Sequence, residues 1–366
     1  MTQHRPPLPI PAPFPRDGRE LRGDWLPRVL QLPDVPAHSV AVARIGEDRG
    51  HMGSSYRLTF ECEHPSHPAR SVVVKLPAPE AAAREAANRG GLYVREFRFF
   101  NELAHRTAVR APRCLAAGYA EPDGFALVLE DLGAAREVDQ VAGCDLAHAK
   151  TVLAELAAFH ASWWDRPTLA EMTWVTRHAD EHRVENLTGI LRDGWPVLCE
   201  ALADRLPPDA LEVGRAMAEA LPTAFGALAA EPQTLLHGDV RLDNLLFDEW
   251  VVLLDWQSLS RGACALDVSY FLAQNIPAAD LEVHGEELLA GYQRGLAAAG
   301  VEYSTERLRR AIALALPLSF AVAASLVVVA DAEAERTREL AAAMAVRSLA
   351  ALKHFGHPQQ MLSTSP

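Results

Sequence analysis

The chain has 366 residues, of which 49% are hydrophobic and 23% charged, and its formal net charge is −13 at pH 7. This length and apolar content indicate a globular protein, either of two domains or of one two-lobed domain with a sizeable core. The acidic balance argues against a nucleic-acid partner, which would need a basic face, and weakly favours a cationic or neutral small-molecule substrate.

The cysteines and the N-terminal residues indicate the cellular compartment in which the protein is expected. The five cysteines are scattered, with no C-x-x-C pair and no histidine at ligand spacing, so neither a disulfide framework nor a zinc site is indicated. They are Cys62, Cys114, Cys144, Cys199 and Cys264. Residues 1–16 are broken by prolines and charges and lack the apolar stretch of a signal peptide, so we expect a cytoplasmic protein.

The first predicted elements are a short helix and two strands. Apolar residues recur at helical spacing from Arg19 to Leu32, which favours an amphipathic helix packed on the first lobe. Val40–Ile45 and Tyr56–Cys62 have the composition of strands, and the second alternates apolar and polar residues. One face of the second strand is therefore expected in the core.

The segment between these strands is rich in glycine. It contains Gly46, Gly50 and Gly53, and Ser54 follows the last of them. Because glycine has no Cβ, such a loop can bring its backbone amides close to phosphate groups. The tip of a mobile hairpin would have the same composition, and the loop lacks the G-x-G-x-x-G pattern, so the glycines alone leave both interpretations open.

A lysine and a glutamate on the next two elements form a candidate pair. Lys75 lies near the end of the β-branched run Ser71–Leu76, and Glu96 shares the apolar face of a helix predicted from Leu92 to His105. A buried carboxylate needs a cation beside it or becomes neutral, and Lys75 is the first candidate. Alternatively, Glu96 reaches water at the edge of the apolar stripe. Other possible partners are Arg95, Arg98 and Arg113.

The middle of the chain is predicted to be largely helical. Phe125–Gly133 has the composition of a strand that leaves the first lobe, and Asp145 begins a long helix on which His160 is expected as a core histidine. From Trp174 to Glu231 the pattern is helical, and these helices together with those predicted over Thr305–Phe355 are expected to form the substrate pocket. Its predicted interruptions are Pro196 and Pro207-Pro208.

A hairpin is predicted further on. Leu245–Phe247 and Val251–Leu254 are short apolar runs separated by three residues, the pattern of two strands joined by a tight loop. Pairing them places Asn244 opposite Leu254 or Asp255. An amide and a carboxylate are therefore expected to converge where the hairpin opens.

The polar residues around this hairpin suit phosphoryl transfer. That chemistry needs a carboxylate for the attacking hydroxyl and oxygen ligands for the magnesium ion that bridges the nucleotide phosphates, and Asp239, Asn244 and Asp255 fit these roles. Two alternatives are a strand-turn-strand whose Asp and Asn residues only form turns, and a metallohydrolase with His237, Asp239 and Asp255 as ligands. A metal cluster of that kind would usually contain more histidines.

One apolar run raises the question of a membrane. Ala311–Ala330 is a stretch of 20 residues without a charge, the length of a membrane span. Pro317, Ser319, Ser325 and many alanines dilute it, and no second span accompanies it. We therefore expect a buried helix among the helices predicted over Thr305–Phe355.

The spacing from His237 through Asp239 to Asn244 is that of the protein-kinase catalytic loop, and Asp255 stands where the metal-binding Asp of D-F-G would stand. With Gly238 after the histidine, the stretch resembles the aminoglycoside phosphotransferase and choline kinase-like superfamily, whose members phosphorylate small molecules. The resemblance extends from about residue 25 to about residue 354.

The segments after Leu254 narrow this resemblance. Asp255-Trp256-Gln257 and the later run Asp267–Leu272 resemble the branch that contains ecdysteroid kinase-like and acyl-CoA dehydrogenase-linked members. The resemblance implies that Asp267 braces the catalytic loop through hydrogen bonds without touching substrate.

The resemblance also implies roles for the candidate residues. Asp239 would be the catalytic base, Asn244 and Asp255 would hold Mg²⁺, and Lys75, held by Glu96, would bind the nucleotide phosphates.

The remaining nucleotide contacts are implied in the same way. Gly50, Gly53 and Ser54 would lie against the phosphates, and backbone groups from Glu130 to Leu132 would bind the base, with ATP and GTP equally compatible. Arg241, a departure from the lysine that protein kinases often carry two residues after the base, would either steady the γ-phosphate or anchor the loop.

The implied fold is α+β and protein-kinase-like, with a small N-lobe of mainly antiparallel sheet and a larger helical C-lobe. We expect an N-terminal tail and first helix over 1–35, a nucleotide-binding N-lobe over 36–132, and a C-lobe over 133–366 with the catalytic loop and the substrate-binding helices. The expected function is Mg²⁺-dependent transfer of the γ-phosphoryl group of ATP or GTP to a hydroxyl of a small molecule, without a nucleic-acid or membrane partner. The alternative is a catalytically silent nucleotide sensor or interaction module that retains the fold.

Overall fold

The computed structural model describes residues 6–33, 35–46, 52–61, 70–121, 124–329 and 335–363. The chain divides into two compact units: Met1–Ala135 with Val252–Ser258, and Arg136–Val251 with Leu259–Pro366. The sequence alone does not separate residues 252–258 from the helical part of the chain. The predictions that concern Gly50 and Cys62 lie outside the described residues.

The first unit combines a sheet with short helices. Its strands are β1 (Leu8–Pro9), β2 (Ala41–Ile45), β3 (Gly53–Thr59), β4 (Ser71–Pro77), β5 (Cys114–Ala120) and β6 (Gly124–Glu130). Its helices are α1 (Trp25–Val29), α2 (Ala81–Arg89) and α3 (Leu92–Arg98). Within the described residues these strands form a six-stranded sheet in the order β1-β5-β6-β4-β3-β2. Only β1 pairs in parallel, with β5, so the sheet is mixed and mainly antiparallel, as predicted.

The two faces of β3 and β4 differ because strand side chains alternate. One face lies in the core of the unit and consists of Tyr56, Leu58, Val72, Val74 and Leu76. The opposite face carries Arg57 on β3 and Lys75 on β4. The predicted alternation is therefore confirmed from Tyr56 to Phe60, and it leaves Lys75 on the face that points away from the core.

The first helix is shorter than predicted. The sequence favours a helix over residues 19–32, whereas α1 covers Trp25–Val29 and residues 18–24 form turns. Gly23 has φ +76° before the helix and Gln31 has φ 55° after it, and these left-handed residues bound the helical stretch. The apolar side chains keep their predicted place in the core, namely Leu21, Trp25, Leu26, Val29 and Leu30.

The helix that carries Glu96 also departs from a regular helix. After α3, residues Phe99–Leu103 form a wide π-type turn and residues Ala104–Arg106 a 3-10 turn. Glu96, Phe100 and Leu103 nevertheless all lie on the buried side, as the sequence predicts.

The second unit is mostly helical. Its helices are α4 (Leu146–Trp163), α5 (Thr168–Glu171), α6 (Glu181–Ala201), α7 (Ala210–Leu228), α8 (Ala265–Asn275), α9 (Ala278–Ala298), α10 (Thr305–Val329), α11 (Glu335–Phe355) and α12 (Pro358–Ser363). The remaining strands of the chain are β7 (Thr176–Arg177), β8 (Gln233–Leu236), β9 (Leu245–Phe247), β10 (Val251–Leu253) and β11 (Ser260–Ala263), and Val252 and Leu253 of β10 belong to the first unit. β7, β11 and β8 form a small sheet in that order, and β9 and β10 form the predicted hairpin.

Helix α4 begins as predicted at Asp145. The side chain of Asp145 accepts a hydrogen bond of 2.8 Å from the backbone N–H of His148, which satisfies one of the free donors at the start of the helix. His160 is fully buried near the other end of α4.

One predicted helix break is wrong. Pro196 lies inside α6, which continues to Ala201, whereas Pro207-Pro208 does separate α6 from α7. Tertiary packing explains the continuity, because Trp195 is buried, donates a 2.8 Å hydrogen bond to the carbonyl of Ala210 and packs against Gly214. A Cβ at Gly214 would lie 2.0 Å from the Trp195 ring.

The long apolar run forms a core helix, as predicted. Residues Thr305–Val327 of α10 are long and apolar enough to cross a membrane by length and composition, but 72% of the most apolar stretch is buried inside the protein. From Ala311 to Leu316 every side chain is completely buried. Packing against other helices of the unit, α6, α7, α8 and α11, accounts for the apolar character of this helix.

Candidate active site

Lys75 is held by two carboxylates within the first unit. Its Nζ atom lies 2.9 Å from Oε1 and 2.8 Å from Oε2 of Glu96, and 2.8 Å from Oδ1 of Asp255. Glu96 is only 1% exposed. The expectation that a carboxylate on the apolar face of this helix has Lys75 as its cation is therefore confirmed. Two of the three other possible partners are used elsewhere, since Arg95 donates to the Gln257 carbonyl at 3.0 Å and Arg98 pairs with Glu102 at 2.6 Å.

Burial and charge act in opposite directions in this cluster. Burial disfavours the charge of Lys75, but the carboxylates of Asp255 and Glu96 outweigh it and raise the lysine pKa. Burial raises the pKa of Glu96 to about 7, against the opposing effect of Lys75. The lysine thus stays charged, and two carboxylates hold it at a fixed place on the face of β4 opposite the core.

Asp255 lies in this cluster because residues 252–258 pack against the rest of the first unit. The Trp256 ring is fully buried and stacks on the Phe99 ring, with the centroids 3.8 Å apart. Asp255 itself has φ 60°, a left-handed conformation that few non-glycine residues adopt, and its Oδ2 accepts a 3.1 Å hydrogen bond from Gln257. A carboxylate kept at a strained position is often functional.

Two other predicted nucleotide contacts are placed by β3. A Cβ on Gly53 would lie 3.2 Å from the Leu76 carbonyl oxygen and 3.6 Å from Cε of Lys75, so this glycine sits close to the lysine. The hydroxyl of Ser54 is buried and donates to the Pro77 carbonyl at 3.2 Å. Only the backbone of Ser54 is therefore left to contact a phosphate group.

The predicted base-binding segment follows β6. The backbone N–H of Glu130 donates to the Arg113 carbonyl at 2.9 Å, and the Leu132 carbonyl accepts from Ala135 at 2.7 Å. Next to it, Asp131 accepts two hydrogen bonds from the Arg57 guanidinium, at 2.8 and 3.2 Å. This ion pair fixes the segment against β3 and was not apparent from the sequence.

In the second unit, Asp239 is surrounded by donors. Its Oδ1 accepts from the Tyr270 hydroxyl at 2.8 Å, and its Oδ2 accepts from the Asn244 amide at 2.9 Å. Nε of Arg241 lies 3.4 Å from the same Oδ2. The carboxylate is 22% exposed, so it is oriented by neighbours and still open to solvent. This contact supports loop anchoring as one of the two roles considered for Arg241.

The carboxylate of Asp267 supports the loop that carries Asp239. It accepts the backbone N–H of His237 at 2.7 Å and that of Gly238 at 2.9 Å, which matches the bracing role that the resemblance implies. Gly238 has φ 82°, where a side chain would be strained. His160 is a satisfied core histidine, as predicted, with its ring nitrogens 2.7 Å from the Tyr292 hydroxyl and 3.2 Å from Asp267.

Further residues of helix α8 form hydrogen bonds with this loop. Asn275 donates to the Val240 carbonyl at 3.0 Å and accepts from the Leu242 backbone at 2.9 Å. Asp267 and Tyr270 are three residues apart and therefore share one face of α8. The helical spacing from Asp267 was the signal that could have identified Tyr270.

The residues proposed to hold a cation offer suitable oxygen donors. The amide nitrogen of Asn244 donates to Asp239, so its amide oxygen is the atom left for a cation. Asp255 supplies a carboxylate, and Mg²⁺ commonly takes one or two such protein oxygens together with phosphate oxygens. Asn244 belongs to the second unit and Asp255 to the first, and their convergence stays a prediction. The ring of His237 is fully buried and accepts from the Asp239 backbone at 3.3 Å, which favours a structural role over the metallohydrolase alternative.

The first unit is a sheet that carries a lysine paired with carboxylates. The second unit is helical and carries a loop with Asp239 and Asn244 that Asp267 supports. These features define a protein of the kinase-like phosphotransferase fold. Residues 49–301 match the ecdysteroid kinase-like family, and the chain belongs to that family. The suspected superfamily and the predicted fold class are thus confirmed.

Solved structures agree with this fold. Amicoumacin kinase hAmiN, in complex with AMP-PNP, Ca²⁺ and Ami, has a TM-score of 0.58 at 13% identity, over 93% of this chain and 96% of that one. A mutant aminoglycoside 2′-phosphotransferase-IIIa in complex with GDP has a TM-score of 0.53 at 15% identity, over 88% of this chain and 95% of that one. No curated protein sequence matches the chain.

Proposed function

We propose that this protein transfers the γ-phosphoryl group of ATP or GTP to a hydroxyl of a small molecule. The observation that carries the proposal is the Lys75 ammonium held between the carboxylates of Glu96 and Asp255. A fixed lysine of this kind binds nucleotide phosphates in kinase-like enzymes. Membership of the ecdysteroid kinase-like family and the nucleotides bound by structures of the same fold support it.

In this reaction the acceptor oxygen attacks the γ-phosphorus, and the bond from that phosphorus to the bridging oxygen of the nucleotide breaks. The acceptor proton passes to Asp239, and the products are a phosphate ester and a nucleoside diphosphate. Tyr270 and Asn244 hold the two oxygens of Asp239, so that the carboxylate is oriented before the acceptor arrives.

A divalent cation fits the residues present. Asn244 and Asp255 would hold Mg²⁺, which when bound supplies positive charge to the β- and γ-phosphates. Lys75 adds a second positive charge to the same phosphates. Glu96 keeps the lysine in position through the short contacts of its two carboxylate oxygens with Nζ.

The test is calorimetric titration of ATP and GTP with and without Mg²⁺, followed by turnover assays with a library of hydroxyl compounds. At about 100 times its dissociation constant, a bound nucleotide should raise the unfolding free energy by roughly 2.7 kcal/mol. Lys75→Met should lose binding, and Lys150→Met should keep it, because Lys150 pairs with Glu287 on the surface of the other unit. Binding without turnover of any hydroxyl compound would favour the silent nucleotide sensor, and absence of binding to the folded protein would contradict both.

A further inference from the structure

Arg183 is a positive charge without a carboxylate partner among the described residues. It lies in the first turn of α6, and its Nε atom is buried with no hydrogen-bond partner in the described part of the chain. Its closest polar contact is His178, whose Nε2 lies 3.4 Å from Nη2. Arginine stays protonated in proteins, so this site retains a full positive charge.

The neighbour of Arg183 does not neutralise it. His178 is 1% exposed, and burial together with the arginine charge lowers its pKa well below 6.5. The ring is therefore neutral, accepts from Arg183 at Nε2 and donates from Nδ1 to the Ser260 hydroxyl at 2.9 Å. His178 orients the guanidinium without forming an ion pair with it.

Arg183 belongs to the surroundings of the catalytic carboxylate. Burial lowers its pKa, while Asp239, Asp267 and Tyr270 act on its charge in the opposite direction, so these groups are near it. The chain geometry agrees, because Ser260 of β11 is the register partner of Leu236, the residue before His237.

Two more arginines lie in the small sheet beside Arg183. Arg177 of β7 and Arg261 of β11 are register partners in the same small sheet. Within the described residues neither forms an ion pair with a carboxylate, and Arg261 donates instead to the Leu169 carbonyl at 2.7 Å.

The Nε–H donor of Arg183 is buried without an acceptor among the described residues, and the planar donors of a guanidinium match a carboxylate or a phosphate. We propose that the acceptor of the phosphotransfer carries such an anionic group, and that Arg183 binds it near the hydroxyl that is phosphorylated. This inference rests on the proposed function. It reverses the preference for cationic or neutral substrates that the net charge suggested, because the local charge at the site matters more than the total.

The acceptor is favoured over the nucleotide as the source of the anion. Arg183 lies on the helical segment expected to contribute the substrate pocket, whereas the nucleotide phosphates are assigned to Lys75 of the first unit. Arg241 is the arginine of the catalytic loop, 3.4 Å from Asp239. Arg183 therefore adds a separate positive charge on the acceptor side of the base.

Matched acceptors test the proposal. Hydroxy acids would be compared with their neutral methyl amides, phosphate monoesters of diols with the free diols, and amino alcohols with the corresponding alcohols, with nucleotide consumption as the readout. We expect kcat/KM for an acid or a phosphate monoester to exceed that of its neutral partner by about 10- to 100-fold, the size of one charge-assisted pair. The two anionic series show which group the site prefers. Equal or better turnover of neutral or cationic members would overturn the proposal.

Variants at Arg183 distinguish direct binding of the anionic acceptor from a general effect of the arginine charge on the reaction. Arg183→Met should raise KM for the anionic acceptor about 10- to 100-fold, with a much smaller change for the neutral partner and no change in KM for the nucleotide. Arg183→Lys keeps the charge without the planar donors and should lose part of the preference. Arg192→Met is the control, since Arg192 is an exposed arginine of the same helix, paired with Asp193. An equal loss of kcat for every acceptor, or a rise in nucleotide KM, would overturn the proposal.

The proposed function and this inference fail in different ways. If neutral alcohols are phosphorylated and acids are not preferred, the phosphotransferase stands and the role of Arg183 is wrong. If no compound supports turnover, the acids and phosphate monoesters should still raise the melting temperature of the wild-type protein and not that of Arg183→Met. Absence of that stabilisation would contradict the anion site itself, and should Arg183→Met not fold, Arg183→Lys replaces it in the same comparison.

Discussion

The hydroxyl of Tyr270 donates a hydrogen bond of 2.8 Å to Oδ1 of Asp239. Burial and the nearby Asp239 carboxylate raise the pKa of Tyr270 well above its ordinary value, so the phenol stays protonated and can only donate to the carboxylate. The second oxygen of Asp239 is held by Asn244 at 2.9 Å. Together these contacts fix the plane of the carboxylate.

Tyr270→Phe should therefore slow phosphoryl transfer without affecting nucleotide binding. A hydrogen bond to a charged group contributes about 1.5–3 kcal/mol, so we expect kcat to fall by about 10- to 100-fold while nucleotide KM stays constant. The measurement is steady-state turnover of the folded variant. Tyr119→Phe removes a hydroxyl that donates to the exposed Glu121 and serves as the control. An unchanged kcat in Tyr270→Phe would show that Asn244 alone positions the base.

The second prediction concerns the coupling of Lys75 and Glu96. Each is deeply buried, with side chains 12% and 1% exposed, so removing one leaves the other without its partner. In a double-mutant cycle of Lys75→Met and Glu96→Gln, the losses of unfolding free energy should depart from additivity by about 0.5–3 kcal/mol. Urea unfolding of the four proteins measures this coupling without any assumption about activity.

A surface pair provides the comparison for that cycle. Arg98 and Glu102 are 34% and 42% exposed, and their i,i+4 ion pair should couple by about 0.3–0.5 kcal/mol. Simple addition for Lys75 and Glu96 would mean that Asp255 alone retains the lysine.

The sequence predicts much of the site because its chemistry leaves local patterns. The hairpin and the spacing of Asp239 and Asn244 are short-range features, and the partner of Glu96 follows from a carboxylate on an apolar helix face. The docking of residues 252–258 on the first unit depends on the stacking of Trp256 on Phe99, two residues far apart in the chain. A local pattern does not contain such a contact.

The errors have the same origin. Pro196 is a helix breaker by local rules, yet Trp195 packs on α7 and holds α6 continuous through it. Arg183 is one of many charged residues on helical segments, and its buried Nε atom, which has no hydrogen-bond partner among the described residues, is visible only in the folded unit. The burial of a single atom depends on the folded unit and cannot be read from a local sequence pattern.

The third prediction concerns Asp267. Its two oxygens accept the backbone N–H groups of His237 and Gly238, and Asn at this position would present an amide nitrogen to one of them. Asp267→Asn should lower the unfolding free energy by about 1–3 kcal/mol, because a buried donor loses its acceptor. Urea unfolding measures the change, and Asp204→Asn at an exposed position should stay within about 0.5 kcal/mol of the wild type. A loss as small as that of the control would mean that the loop keeps its conformation without this support.

The last prediction separates the two carboxylates of the proposed reaction. Asp239 is bonded to Tyr270 and Asn244 in the second unit, and Asp255 is bonded to Lys75 in the first, so their loss should have different effects. Asp239→Asn keeps the size of the side chain but removes the base. Nucleotide and Mg²⁺ binding should survive, while transfer falls by about 10²- to 10⁴-fold.

Asp255→Asn should instead weaken Mg²⁺-dependent nucleotide binding itself, because it removes the charge proposed to hold the cation and leaves Lys75 with Glu96 alone. The measurement is nucleotide titration at several Mg²⁺ concentrations beside a turnover assay. Asp248→Asn is the control, since Asp248 is exposed in the hairpin loop between the two aspartates. Metal-dependent binding that is lost in Asp239→Asn and intact in Asp255→Asn would reverse the two roles, because the carboxylate that meets the cation is the one on which binding depends.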